Sequence, residues 1–231
     1  MTGLTVGHDE GRAAFTEAAQ AFHAAAAGLD ERDLLAYTRC RGWAVVDAVV
    51  HVRTGLEEVL RGFVAPCNDE PTVDAASYWS AQSPPSTADR LPDEVEAITF
   101  TRRLGSAYRR PASAVGHLAD AVDAVVGAAE RARPSRVRFQ GHVLTTGDFL
   151  VSWAVELAIH QLDLDAEVRV PPPPLAALRW SRATVEALLG APVPASLDDA
   201  TTVLLATGRT RPDAGQAAAL GPLADRLPVL A

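Results

Sequence analysis

The sequence predicts a mostly helical protein, an antiparallel four-helix bundle with a small C-terminal appendage. Three observations lead there. Long stretches carry apolar residues at the three-and-four spacing of an α-helix. The connections between them alternate short and long, which suggests an antiparallel bundle. Hydrophobic residues make up 48% of the 231-residue chain and charged residues 22%, enough to bury a real core. The bundle is expected in residues 1–170, with a helical or α+β appendage in residues 171–231.

Each element has a local cause. Asp9 to Leu29 reads as a first helix because Phe15, Ala18, Ala19, Phe22 and Ala26 recur on one face, and Gly28 stands near its stop. Trp43 to Arg61 reads as a second, with Val46, Val49, Val50, Leu56 and Leu60 in its apolar stripe and Gly62 after the last turn. Residues 64–92 mix proline with Ser, Thr and Asp and predict a long connection, with a short helical turn around Tyr78 and Trp79. Residues 93–132 form helix with a break near Pro111, since proline removes a backbone donor.

Val137 to Leu144 fits a short extended piece. Thr145 or Thr146 then caps a helix that runs to about Leu164, with Asp148 in its first turn where negative charge is favoured. Prolines 171–174 form a stiff linker, and Leu175 to Leu189 is helical. Asp198 or Asp199 opens the segment TTVLLATGR, which fits a helix or a strand, and the tail from Pro212 carries one or two short helices.

Composition excludes several functions. A net charge of −8 and a pI near 5.2 argue against nucleic acid or an anionic membrane as partner. All 21 basic residues are arginine, so lysine-dependent chemistry such as Schiff-base formation is excluded. Cys40 and Cys67 are too few for a disulfide framework, and neither stands in a context that marks a nucleophile. The N-terminus lacks the pattern of a secretory signal, and no apolar run approaches the roughly 18 residues of a membrane span. A cytosolic location is the expectation.

One constellation carries chemistry. Glu156 and His160 are four apart in VSWAVELAIHQLDL, so a helix places both on one face. His51 sits within the apolar stripe of a different helix. Imidazole and carboxylate suit zinc and similar divalent ions, and three protein ligands leave a coordination position open, as in catalytic sites. The competing reading is bland: a Glu/His pair at this spacing also merely stabilises a helix, and a lone histidine in an apolar stripe is often a hydrogen-bonded core residue. A carboxylate among Trp153, Val155 and Leu157 would nonetheless be costly to bury without a partner.

The segment Trp43-Ala-Val-Val-Asp47-Ala-Val-Val-His51 resembles the N-terminal metal-binding signature of the mycothiol-dependent maleylpyruvate isomerase family, part of the DinB-like superfamily. Thr145 to Asp163 is similar to its second signature, E-x-x-x-H-x-x-D. The resemblance covers roughly residues 10–165. It implies a DinB-like bundle with a core metal, often zinc, held by His51, Glu156 and His160. Asp163 and Asp47 are candidates to orient a ligand imidazole from behind. Their ordinary alternatives are a helix-end charge and a surface carboxylate.

Leu204 to Arg209 also resembles a short C-terminal signature of these proteins, where Arg209 is a candidate to clamp a substrate carboxylate. An arginine beside a glycine cap is the alternative. The C-terminal part is shorter than in the isomerases proper, which leaves their particular substrate open. His142, just before the ligand helix, is a candidate pocket acid or base.

The implied function is metal-dependent thiol chemistry: a low-molecular-weight thiol such as mycothiol adds to an electrophilic small molecule, as S-transferase or isomerase. Two readings stand beside it: a thiol-independent metal-dependent lyase, cyclase or hydrolase, and a non-catalytic metal- or ligand-binding bundle. A monomer or homodimer is expected.

Overall fold

The structure is a computed structural model that describes residues 3–82 and 87–230. Its helices gather around four long members: α1 (His8–Ala27), α2 (Val45–Phe63), α5 (Ala112–Arg131) and α6 (Thr146–Leu164). α1 runs along α6 and α5, α2 runs along α5 and touches α6, and α4 (Thr87–Ser106) lies on α2. Together they form the expected helical bundle. Residues 83–86 of the expected long connection lie outside the described residues.

Alanine, the strongest helix former, fills α1, and Phe15 and Phe22 anchor it fully buried. α2 is different. Its valines are β-branched and weaken an isolated helix, so burial of Val45, Val49, Val50, Leu56 and Val59 must hold it. α6 starts at Thr145, whose hydroxyl accepts from Asp148 N at 3.1 Å.

α6 is apolar on nearly every side because it serves two cores. Leu150, Ala154 and Leu157 face the bundle, whereas Val151, Val155 and Ile159 belong to a second cluster with Val185, Leu188 and Leu189. Those last three come from α7 (Leu175–Leu189), which is followed by α8 (Asp199–Ala206) and α9 (Ala214–Leu220). The segment TTVLLATGR is therefore helical through α8, capped by the Asp198 carboxylate on Thr201 N at 2.7 Å. Arg182 donates to the carbonyls of Val193 and Leu197, which ties α7 to the start of α8.

The expected extended piece at 137–144 is a hairpin, β2 (Arg136–Phe139) with β3 (His142–Thr145), and β1 (Pro66–Cys67) pairs antiparallel on the outer edge of β2. Gln140 and Gly141 make the turn, with φ of 46° and 81°. Two successive positive φ values match the twist of the flanking strands. α3 (Ser77–Gln82) supplies the short helix around Tyr78 and Trp79. No helix among the described residues is long and apolar enough to cross a membrane.

The α1–α6 crossing is close. A Cβ on Gly11 would stand 2.5 Å from Gly147 O. Gly11→Ala gains up to about 1 kcal/mol of helix propensity but forces the two backbones apart, at about 1–3 kcal/mol for overpacking. A net loss of stability is expected in urea denaturation, and a stabilised variant would contradict this crossing.

Candidate metal centre

α2 and α6 meet where their polar exceptions lie. His51 is placed by the buried valine face of α2, and Glu156 and His160 project from one face of α6 toward it. His51 Nε2 lies 3.2 Å from Glu156 Oε1, and His160 Nε2 lies 3.1 Å from the same oxygen. The two imidazoles meet edge to face, with ring centroids 4.7 Å apart. Trp43, 8% exposed, flanks both, 4.9 Å from the His51 ring and 6.0 Å from the His160 ring. Helical spacing paired Glu156 with His160, the family resemblance added His51, and the structure brings the three side chains together.

The other nitrogen of His160 has its own partners. Nδ1 is 3.2 Å from Asp163 Oδ2, and Cys40 Sγ donates to the same oxygen at 3.0 Å. Arg209 then grips the Asp163 carboxylate with both arms of its fork, Nε to Oδ1 at 2.9 Å and Nη2 to Oδ2 at 3.2 Å. Asp163 is fully buried, and a buried carboxylate needs such partners. With a proton on His160 Nδ1 directed at Asp163, Nε2 faces Glu156, as a donor to Oε1 when the ring is doubly protonated and with a free lone pair when an ion takes that proton's place.

Charge follows geometry. Burial alone would raise the Glu156 carboxyl, but the His160 and His51 imidazoles outweigh it and hold the group far below the usual carboxylate range. Burial would likewise lower His160, yet Glu156, Asp163 and Cys40 raise it well above an ordinary histidine. Burial opposes ionisation of Asp163 too, and His160 with Arg209 bring it down to about 2. Without an ion, a protonated His160 ring holds Glu156 and Asp163 on its two sides.

Among the described residues two groups of donors stand close enough to share an ion: His51, Glu156 and His160, and Cys40, His160 and Asp163, each with donor atoms within 4.8 Å of one another. The first fits. Donors about 2.0–2.1 Å from a tetrahedral ion stand about 3.3 Å apart, close to the 3.1 and 3.2 Å separations found here. The second does not fit, because the Arg209 guanidinium already sits against two of its donors, 3.2 Å from Cys40 Sγ and 3.2 Å from Asp163 Oδ2.

A cleft of about 340 Å³ opens beside the first group, within the size range of small-molecule sites. Its lining includes His51 and Glu156 with Glu58, Tyr78, Trp79, Gln140 and Trp153. Gly55 lets the Trp153 indole lie on α2, since a Cβ there would come within 2.5 Å of the ring.

The remaining sequence candidates lie elsewhere. Asp47 accepts from Ala44 N at 2.9 Å and so holds the first turn of α2, while burial raises its carboxyl. His142 stands on β3, edge-on to the Tyr78 ring at 6.4 Å, and does not line the cleft. Arg209, expected to face a substrate carboxylate, is committed to Asp163 on the Nδ1 side of His160. Cys40, which showed no marked context in the sequence, proves to be in contact with a guanidinium 169 residues away. Glu58 and Gln140 escaped sequence reasoning altogether: a surface-type glutamate at the end of a helix and a turn glutamine carry no pattern. The spacing of Glu58 seven residues after His51 was the one available signal.

Bundle, paired imidazoles and adjoining cleft define a DinB-like helical protein with a candidate metal centre. Residues 15–165 match the family model described as the mycothiol maleylpyruvate isomerase N-terminal domain, and the chain belongs to that family. Among solved structures, a mutant of the mycothiol-dependent maleylpyruvate isomerase shares the fold at a TM-score of 0.51 and 12% identity, over 78% of this chain and 70% of that one. No curated protein matches the sequence significantly.

Asp163 makes a pH prediction for the metal-free protein. Its folded value of about 2 lies below the ordinary 3.8, so its contribution is present above about pH 4 and lost as pH falls toward 2. The shift corresponds to about 2 kcal/mol. Urea denaturation between pH 2 and 7 is expected to show a steeper acid loss in the native chain than in Asp163→Asn. Parallel curves would contradict the pairing.

Proposed function

We propose that this protein is a divalent-metal-dependent enzyme that uses a low-molecular-weight thiol, such as mycothiol, to attack an electrophilic small molecule. The outcome is isomerisation or S-transfer. The observation that carries this is the convergence of His51 Nε2 and His160 Nε2 on one Glu156 oxygen, at the edge of a small cleft, in a chain of this family. The donors would be His51, Glu156 and His160, and zinc suits two imidazoles and a carboxylate best.

Such an ion supplies a positive centre that favours the thiolate form of a bound thiol. The chain's own residues do the rest. Asp163 holds His160 in the tautomer that presents Nε2, and Arg209 holds Asp163. Trp79 and Trp153 give the cleft apolar walls that pack an unsaturated substrate and exclude water. No side chain has to act as covalent nucleophile, because the cosubstrate brings the sulfur.

Elemental analysis tests the donors. Purified protein is expected to hold about one equivalent of divalent ion, and His51→Ala, Glu156→Ala and His160→Ala to retain less than about a tenth of it while keeping helical circular dichroism. Full metal content in all three variants would end this reading. Turnover of an electrophile only when thiol is present separates thiol chemistry from metal-activated hydrolysis or lysis.

A further inference from the structure

We propose that Glu58 is the specificity-determining residue of this cleft, and that it selects an uncharged or cationic electrophile and rejects carboxylates. The inference rests on the reading of the centre given above and adds the substrate class to it.

Glu58 lies two turns beyond His51 on the same face of α2, and both line the cleft. Its carboxylate is held in place: Gln140 Nε2 donates to Glu58 Oε2 at 3.1 Å, and Tyr78 OH donates to Gln140 Oε1 at 2.6 Å. Three separate parts of the fold thus build one polar wall, from α2, α3 and the β2–β3 turn. Gln140 adopts φ 46° to take part, in a turn position that Asn, Asp or Gly usually fills.

The balance of charge gives the wall its meaning. A divalent ion held there would be neutralised by Glu156 together with a bound thiolate, and Glu58 would then leave the cleft negative. Among the described residues no arginine lines it. The Arg209 fork is committed to Asp163, and Arg53 on α2 pairs with Glu57 at 2.6 Å. A dicarboxylate would bring two further negative charges to a cleft that no guanidinium lines among the described residues. Uncharged unsaturated compounds meet no such penalty beside Trp79 and Trp153, and cations gain from indole rings as well as from Glu58.

Equilibrium titration of the zinc-loaded protein saturated with a low-molecular-weight thiol, read by tryptophan fluorescence, tests this with three unreactive probes: succinate, dimethyl succinate and benzyltrimethylammonium. Succinate is the stringent case, since the ion itself attracts it. In the native chain the diester and the cation are expected to bind more tightly than succinate. Glu58→Gln keeps an acceptor for Gln140 and is expected to tighten succinate about tenfold, weaken the cation by a similar factor and leave the diester within about twofold. Glu58→Arg should reverse the native order. Equal changes for all probes, no change for succinate, or no binding of any probe would overturn the proposal. None of these readings requires turnover. Loss of metal from the native protein or lack of thiol dependence would instead strike the proposed function, which the same titration on metal-free protein keeps separate.

Discussion

The Glu156 carboxylate, set between two imidazoles from different helices, is the constraint on which the rest of the arrangement depends. A largely buried anion is tolerated only with partners in place, so α2 and α6 must keep the register that brings His51 and His160 to it. That register explains several packing details. Gly55 admits the Trp153 ring onto α2, the Gly11–Gly147 approach draws α1 tight against α6, and Trp43 fills the space behind both imidazoles. The valine face of α2 supplies the apolar energy that holds the register, since its intrinsic helix propensity is poor.

A second layer reaches the same centre from a distance. Asp163 links His160 to Arg209, which follows α8 and lies beyond the stretch that matches the family model. Residues after the proline run are therefore coupled to the centre as well as packed on α6. The coupling is one of position: a bidentate arginine fixes a buried carboxylate, and the carboxylate fixes a ring. The same device removes Arg209 from the cleft and leaves Glu58 as the charge that a substrate meets.

Much of this was legible in the sequence. The bundle helices follow from apolar spacing, and Thr145 marks the start of α6, whereas Gly62 lies inside the last turn of α2, which continues to Phe63, and makes room there for the Phe149 ring. One i,i+4 pair and one histidine inside an apolar stripe suggested the triad, and the resemblance to the two family signatures singled it out. What escaped depends on contacts between residues far apart in the chain. VRFQGHVL shows one extended run, and only the left-handed pair Gln140 and Gly141 turns it into a hairpin. TTVLLATGR is apolar enough for either regular state, and the Asp198 cap with the second core decided for helix. The meeting of Cys40 with Arg209 and of Glu58 with Gln140 is set by tertiary packing, which no local pattern records.

X-ray absorption spectroscopy of the zinc-loaded protein, before and after addition of a low-molecular-weight thiol, addresses the centre most directly. The expected result is a first shell of nitrogen and oxygen at about 2.0–2.1 Å with an imidazole signature, joined by one sulfur at about 2.3 Å only once thiol is added. Sulfur present beforehand would point to Cys40 and the alternative donor group. A shell that never gains sulfur would contradict thiol activation at this site.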